Sequence, residues 1–158
     1  MVIMTRHDPK PDIKAFEKQL RHVFEEIVPF NRVLGLKVAS LDPAGPSLRF
    51  DMRPELIGNP VRKVLHGGVI SATLDVVAGF AIHLALFQQN MDEGKAFTFP
   101  NIGTIDLRID YLRPGRGEYF IGTGRVVRLG NRVAVAHMEL VNDKQEQIAT
   151  GSAAYMVG

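Results

Sequence analysis

The sequence has 158 residues, of which 46% are hydrophobic and 23% are charged, and its formal net charge is +2. This length suits one domain with a sizeable core, and the charge is too small to predict nucleic-acid binding. The chain has no cysteine, which excludes disulfides, cysteine nucleophiles and thiolate metal ligands. No apolar signal segment stands among the first twelve residues, so we expect a cytoplasmic protein.

The N-terminal part of the chain predicts one helix and then extended structure. Residues 1–12 are rich in charge and proline, and we expect a frayed tail. From Asp12 to Val28 the apolar residues recur at helical spacing, with Asp12 as the N-cap and Pro29 as the stop. We then expect a turn at Asn31, extended segments at Leu34–Leu41 and Ser47–Arg53, and a loop at Glu55–Leu65.

The most distinctive stretch begins at Gly67-Gly68 and predicts a central helix over residues 69–87. It is apolar nearly all round for about twenty residues, so it must be buried on almost every face, in lipid or in protein. Asp75 lies in its middle, where an unpaired carboxylate is costly enough to raise its own pKa. Such a carboxylate, near a helix N-terminus that can bind anions, suits acid/base or acyl-transfer chemistry.

Two other interpretations of this helix remain open. Its length fits a membrane span, but Asp75 and His83 within it and the strand-like pattern downstream argue against one, so we expect no membrane insertion. Alternatively, the helix belongs to a soluble core and Asp75 only caps a neighbouring loop.

Four strands are predicted after a polar loop at Gln88–Gly103, which is long enough to be a flap over a site. From Thr104 onward Ile105 and the apolar residues after it alternate with charged ones. We expect a two-residue hairpin loop at Gly130-Asn131, because both residues tolerate a positive φ angle. The strands are expected at Thr104–Tyr111, Glu118–Leu129, Arg132–Val141 and Gln147–Val157.

Because short turns join these strands, we expect an antiparallel meander whose apolar face only the central helix can cover. The predicted fold is α+β, a strongly curved antiparallel sheet wrapped around one long central helix, with an added N-terminal helix. The central helix is apolar on more faces than one sheet can cover. A second copy is therefore expected to meet it, with edge strands joining into a continuous sheet.

Several segments resemble a known family. His66-Gly67-Gly68, with Asp75 nine positions after the histidine, resembles the signature of hotdog-fold acyl-CoA thioesterases of the phenylacetate-pathway thioesterase-like branch. Residues 103–115 resemble the family's next strand. Residues 29–36 and the ending Ala154–Gly158 look closest to the bacterial subgroup that acts on medium- and long-chain acyl-CoA. The resemblance covers residues 29–158 and implies a hotdog fold. We therefore divide the chain into a tail and amphipathic helix (1–30) and a hotdog domain (31–158).

The resemblance also implies a set of catalytic residues, assembled across a homodimer. Asp75 would act as general base or nucleophile on the thioester, and the main-chain N–H of Gly67 would be the oxyanion donor. Thr104 would hold the attacking water, and Asn59 would bind the water or the carbonyl. His66 is expected either to carry a proton or to be a structural hydrogen-bonding residue of the loop.

Coenzyme A would bring phosphates, which basic side chains can hold by charge-assisted hydrogen bonds. The candidate substrate-binding residues are Gly68, Arg128, Asn131, Arg132 and Arg62. No metal site is predicted, because no histidine has a second ligand at metal-binding spacing. No cofactor is expected either, since CoA is part of the substrate.

The expected function is hydrolysis of an apolar, medium- to long-chain acyl-CoA to free acid and CoA. The expected assembly is a homodimer that pairs into a homotetramer. Two alternatives use the same fold: a non-catalytic acyl-CoA sensor, and a hydroxyacyl-thioester dehydratase with His66 as base and Asp75 as acid. Residues 1–30 predict only one helix, which is too little for the DNA-binding segment of a sensor.

Overall fold

The computed structural model describes residues 12–95 and 98–158, so the tail predicted over 1–12 lies outside the described residues except for Asp12. Helix α1 (Ile13–His22) begins where the Asp12 carboxylate accepts two main-chain N–H groups of the first turn, at 3.0 and 3.3 Å. The predicted N-cap is therefore confirmed.

Pro29 ends the first helical segment and also starts a second one. A π-helical turn (Val23–Ile27) continues α1, and Val28 is then extended. Pro29 occupies the first position of helix α2 (Pro29–Leu34), where its missing N–H costs no hydrogen bond. The predicted end of the helix is confirmed, but the turn predicted at Asn31 is wrong, because this residue is helical and buried.

The long helix α3 begins at Gly67 and ends at Asp92, so it is longer than the predicted 69–87. The prediction of a loop from Gln88 is wrong as far as Asp92, because these residues still belong to the helix. Their polar side chains form hydrogen bonds four residues apart, which stabilises the end of the helix. Gln88 donates to Asp92 at 2.9 Å, and Gln89 donates to Glu93 at 3.1 Å. The other elements are β1 (Lys37–Ser40), β2 (Ser47–Asp51), a 3₁₀ turn (Pro54–Leu56), β3 (Ile57–Asn59), β4 (Val64–Leu65), β5 (Ile102–Tyr111), β6 (Tyr119–Leu129), β7 (Val133–Asn142) and β8 (Gln147–Val157).

Helix α3 lies in the core of the fold. Within the part of the chain that the structure describes, it is the one helix long and apolar enough to cross a membrane by length and composition. Its apolar surface is instead covered by the sheet on one side and by α1 and the π-helical turn on another. The buried side chains that it contributes are those of Ile70, Thr73, Leu74, Val77, Ala78, Phe80, Ala81, Ile82, Leu84 and Phe87.

The sheet has six strands in the order β1-β2-β6-β7-β8-β5, all neighbours being antiparallel. The predicted four-stranded meander is therefore wrong for its first strand, since β5 pairs with β8 at one edge and β6 pairs with β2. The connection 112–118 is not a hairpin turn. It passes around the ends of β7 and β8, held by hydrogen bonds to Ile148, Asn142 and Asp143, and so separates β5 from β6.

The loop between β6 and β7 also differs from its prediction. It has three residues, 130–132, and neither Gly130 nor Asn131 has a positive φ angle. Gly130 donates its N–H to the Val133 carbonyl at 3.0 Å, and a Cβ atom on Gly130 would lie 2.9 Å from that oxygen. Close approach of the main chains, and not a left-handed conformation, therefore requires glycine here.

The two edges of the sheet differ in whether other parts of the described chain cover them. Along β1, the Val38 N–H donates to the Glu25 carboxylate at 2.8 Å and the Val38 carbonyl accepts from Arg21 at 2.9 Å, so side chains of the first helical segment cover this edge. No element of the described chain covers the outer edge of β5, which is ten residues long and exposes 58% of Ile105. This open edge is where another strand can add.

Candidate active site

Asp75 lies on the face of α3 that meets β5 and β8, and it is half-buried. Its Oδ1 atom accepts a hydrogen bond from the Thr104 hydroxyl at 2.9 Å and another from the Tyr155 hydroxyl. The same Tyr155 hydroxyl is 2.7 Å from the main-chain carbonyl oxygen of Asp75. No described residue donates to Oδ2. One carboxylate oxygen is therefore fixed, and the other is free to meet water or substrate.

The β5–β8 ladder explains why Thr104 and Tyr155 meet at Asp75. Thr104 lies directly opposite Tyr155, and the register shifts between Thr104 and Asp106. This bulge leaves Ile105 unpaired and lets both Thr104 and Leu107 face the helix, which strict alternation forbids. The predicted alternation, with Ile105 on the inner face, is therefore wrong at this one position.

The electrostatics keep Tyr155 a donor and leave Asp75 without a counter-ion. Burial raises the pKa of the Tyr155 phenol, and its hydrogen bond to the Asp75 carboxylate raises it further. The phenol therefore stays protonated throughout the physiological range. Among residues 12–95 and 98–158 no lysine, arginine or histidine forms a salt bridge with Asp75. Two neutral hydroxyl groups alone hold the carboxylate.

The second group of predicted residues lies at the start of α3. His66 is the N-cap, and its Nδ1 atom accepts the Gly68 N–H at 2.8 Å, so a neutral ring carries its proton on Nε2. A Cβ atom on Gly68 would lie 2.8 Å from Nδ1, which explains the second glycine. Tyr111 donates to the Gly67 carbonyl at 3.1 Å. The Gly67 N–H has no hydrogen-bond partner in the described chain and points out from the positive end of the helix.

One chain does not bring these two groups together. Gly67 and Asp75 are eight residues apart on the same helix, which separates them by about 12 Å along its axis. The chain thus contains two half-sites. We name them the carboxylate half (Asp75, Thr104, Tyr155) and the helix-start half (His66, Gly67, Tyr111).

The remaining predicted residues lie at the periphery. Asn59 is exposed at the tip of the ribbon formed by β3 and β4, where its Oδ1 accepts the Arg62 N–H at 3.0 Å. Arg128, Asn131 and Arg132 are exposed around the β6–β7 loop. This loop lies at the end of the sheet where Ala134, Tyr155 and Thr104 pair in one row across three strands. Their roles in binding stay predictions.

Tyr155 contacts the candidate carboxylate, and the sequence analysis did not select it. In the sequence it follows the small residues 151–154, and nothing local links it to Asp75, which is eighty positions earlier. The contact exists because β8 packs on α3, and the pairing of β8 with β5, which the predicted meander did not contain, places Thr104 beside it.

Comparison with known proteins identifies the family. Residues 62–149, more than half of the chain, match the model of the thioesterase superfamily. The chain belongs to this superfamily. It is 42% identical over 144 residues to the medium/long-chain acyl-CoA thioesterase YigI of Escherichia coli (strain K12), covering 89% of this chain and 93% of that protein. YigI of Salmonella typhimurium gives the same identity and coverage.

A solved structure supports the assignment. A crystal structure from Shewanella oneidensis, described as related to the thioesterase superfamily, has a TM-score of 0.77 and 42% identity, and covers 94% of this chain and 100% of that chain. The predicted family and the hotdog fold are confirmed, and with them the prediction of a thioester hydrolase.

Proposed function

We propose that the protein hydrolyses medium- to long-chain acyl-CoA to the free acid and CoA, with Asp75 as the reacting carboxylate. The observation that carries this proposal is the half-buried Asp75, whose Oδ1 is held by Thr104 and Tyr155 while Oδ2 has no partner in the described chain. The YigI proteins, which share 42% of their aligned residues with this chain, support the choice of substrate.

The free Oδ2 atom permits two routes. As a general base it takes a proton from water, the hydroxide oxygen adds to the thioester carbonyl, and the C–S bond breaks to release CoA as a thiolate that is then protonated. As a nucleophile it attacks the carbonyl itself and expels the thiolate, and water then hydrolyses the mixed anhydride. In both routes Thr104 and Tyr155 keep the carboxylate in one orientation, and Thr104 lies where it can also contact the water.

The oxyanion donor must come from a second copy, because Gly67 of the same chain is about 12 Å away along the helix. A two-fold axis that brings Gly67 of one copy to Asp75 of the other brings the reciprocal pair together as well, giving two sites. The open edge of β5 supplies a surface for this homodimer. An N–H donor fixed where negative charge develops is worth about 3–4 kcal/mol in the transition state.

The periphery of the site suits the rest of the substrate. Arg128, Asn131 and Arg132 lie at the end of the sheet nearest Tyr155, and we assign them and Arg62 to the phosphates of CoA. Gly68 lets the main chain at the start of α3 approach the thioester. We propose that the enzyme is cytoplasmic and needs no metal or further cofactor, and that its dimers pair into tetramers.

The experiment that tests this function measures release of free CoA thiol by the purified protein from straight-chain acyl-CoA substrates of four to sixteen carbons. A parallel assay follows dehydration of a 3-hydroxyacyl-CoA. We expect thiol release with the highest kcat/KM on medium or long chains and no dehydration. Dehydration without thiol release would show the alternative enzyme, and tight binding without either reaction would show a sensor.

A further inference from the structure

In the described chain, the turn that leads into α3 leaves a single main-chain N–H without an acceptor. The N–H groups of Leu65 and His66 donate to main-chain carbonyl oxygens at 2.9 and 2.8 Å. The Gly68 N–H donates to the His66 ring at 2.8 Å, and the Val69 N–H donates to the His66 carbonyl at 3.0 Å. Between them, the Gly67 N–H has no partner. The turn therefore offers one specific donor, whose direction decides what it can bind.

Two glycines in succession make this turn costly to hold in one conformation. Glycine loses more conformational freedom on ordering than any other residue, because it has no Cβ atom. Peptide groups are planar, so the two peptides on either side of Gly67 set the direction of its N–H. The first of these peptides is held through the His66 carbonyl, which accepts from Val69. The second, from Gly67 to Gly68, must be held by contacts of its own.

Tyr111, the last residue of β5, holds this second peptide from outside the helix. Its hydroxyl donates to the Gly67 carbonyl at 3.1 Å, and the His66 ring accepts the Gly68 N–H at the other end of the same plane. The edge of the tyrosine ring also lies against Gly67, where a Cβ atom would be 3.4 Å from Tyr111 Cε1. Tyr111 and His66 are the two side chains of the described chain that hydrogen-bond to this peptide.

The proposed dimer brings this tyrosine to the carboxylate of the other copy. Within one chain, Tyr111 contacts Gly67, and Thr104 contacts Asp75. If Gly67 of one copy lies beside Asp75 of the other, Tyr111 of the first copy supports the site that contains Asp75 and Thr104 of the second. Each β5 strand therefore supplies a side chain to both sites, from its start to one and from its end to the other.

We infer that Tyr111 is a positioning residue of the reaction, whose hydroxyl fixes the peptide from Gly67 to Gly68 so that the Gly67 N–H points at the thioester oxygen. This inference rests on the proposed function. Tyr111 acts through the main chain and transfers no proton. Its effect is therefore felt when negative charge develops on the thioester oxygen, which places it in kcat and not in KM.

Tyr111→Phe removes the hydroxyl from a residue that is 54% exposed, so the fold should persist. We expect kcat on octanoyl-CoA to fall by about five- to thirtyfold, less than the roughly 10²–10³-fold cost of removing an oxyanion donor, because His66 still holds one end of the peptide. The KM and the dependence of kcat on pH should stay unchanged. The inhibition constant of S-octyl-CoA, a thioether without the carbonyl oxygen, should also stay unchanged. Tyr119→Phe is the control, since that ring lies beneath Arg49 on another strand.

Mixed assemblies test whether Tyr111 acts across the dimer. The Tyr111→Phe and Asp75→Asn chains are co-expressed with different tags, and assemblies that contain both are purified through the two tags in turn. One site of a mixed dimer then combines an intact Asp75 with an intact Tyr111, and the other site lacks both. We expect CoA release more than twofold above the mean of the two parent proteins. If Tyr111 acted on Asp75 of its own chain, the mixed assembly would only equal that mean.

Several results would overturn the inference. An unchanged kcat in Tyr111→Phe would show that the hydroxyl does not matter, a raised KM alone would show a binding role, and a moved pH profile would show proton transfer. Unfolding or dissociation of Tyr111→Phe would show a structural role, and an equal fall in Tyr119→Phe would show a general effect. Failure to recover a mixed assembly, or one no more active than the mean, would exclude action across a dimer. Failure of the proposed function is distinct, since the wild type would then release no CoA.

Discussion

Tyr155→Phe removes one hydroxyl group from beside Asp75 and leaves the packing of the ring intact. The hydroxyl is buried and donates to the carboxylate, while the ring fills the core below β8 with the residue only 3% exposed. The variant therefore loses the contact that orients Asp75 without opening a large cavity. Thr104 remains as the single donor to Oδ1.

The magnitude follows from the kind of hydrogen bond that is lost. A hydrogen bond to a charged group contributes about 1.5–3 kcal/mol. At about 1.4 kcal/mol per factor of ten in rate, complete loss of that contribution in the transition state lowers kcat by a factor of about 10 to 150. The free energy of unfolding should fall by a similar amount, about 1.5–3 kcal/mol, since the same hydrogen bond is lost from the folded state.

The assay measures kcat and KM separately by thiol release, together with the dependence of kcat on pH. We expect kcat to fall at least tenfold, KM to change less than threefold, and the pH profile to move. If Tyr155 contributed only to stability, kcat and the dependence of kcat on pH would both stay unchanged. Tyr119→Phe is the matched control, because the Tyr119 hydroxyl makes no hydrogen bond within the described chain and its ring only stacks beneath Arg49. A kcat within twofold of the wild type in Tyr155→Phe would refute the reasoning.

Three further predictions concern the same region. Thr104→Ala should lower kcat by about tenfold while Thr104→Ser retains it, since only the hydroxyl contacts Asp75. If Thr104→Ala raised KM and left kcat unchanged, Thr104 would have a binding role instead. Gly79→Ala should raise the free energy of unfolding by about 0.5–1 kcal/mol, because a mid-helix glycine is replaced where no neighbouring element of the described chain obstructs a Cβ. A lower free energy of unfolding, measured by chemical denaturation, would contradict this prediction. Burial holds the pKa of His83 below its ordinary value of 6.5, so the unfolded chain binds a proton near pH 6 that the folded chain does not. The free energy of unfolding should therefore fall between pH 7.5 and pH 5.5, and by less in His83→Gln; equal slopes would refute the assignment.

Local patterns in the sequence predicted most of the helices and strands and selected Asp75 as the candidate carboxylate. The apolar run of α3 and the alternation of apolar and charged residues from Ile105 in β5 are properties of neighbouring residues, so they can be recognised before any contact is known. A single acidic residue inside such a helix is costly to retain, which is why Asp75 could be selected before any contact was known.

Non-local pairing is what the sequence did not reveal. The place of β5 depends on the connection 112–118 passing around β7 and β8, and no local signal distinguishes this from a hairpin turn. The position of Thr104 depends on a bulge that reverses the inward face at Ile105. Tyr155 reaches Asp75 because β8 packs on α3, and Thr104 joins it because β5 pairs with β8, so neither contact follows from neighbouring residues in the sequence.

The central claim is that the Asp75 carboxylate performs the chemistry, and Asp75→Asn tests it most directly. The amide has nearly the same shape, and its oxygen can still accept from Thr104 and Tyr155, so the fold and the oligomer should persist. The measurement is the rate of CoA release from octanoyl-CoA at saturating substrate, with circular dichroism and elution volume as controls. We predict a fall by a factor of about 10²–10⁴, the usual contribution of a general base. Wild-type turnover in the folded variant would contradict the claim.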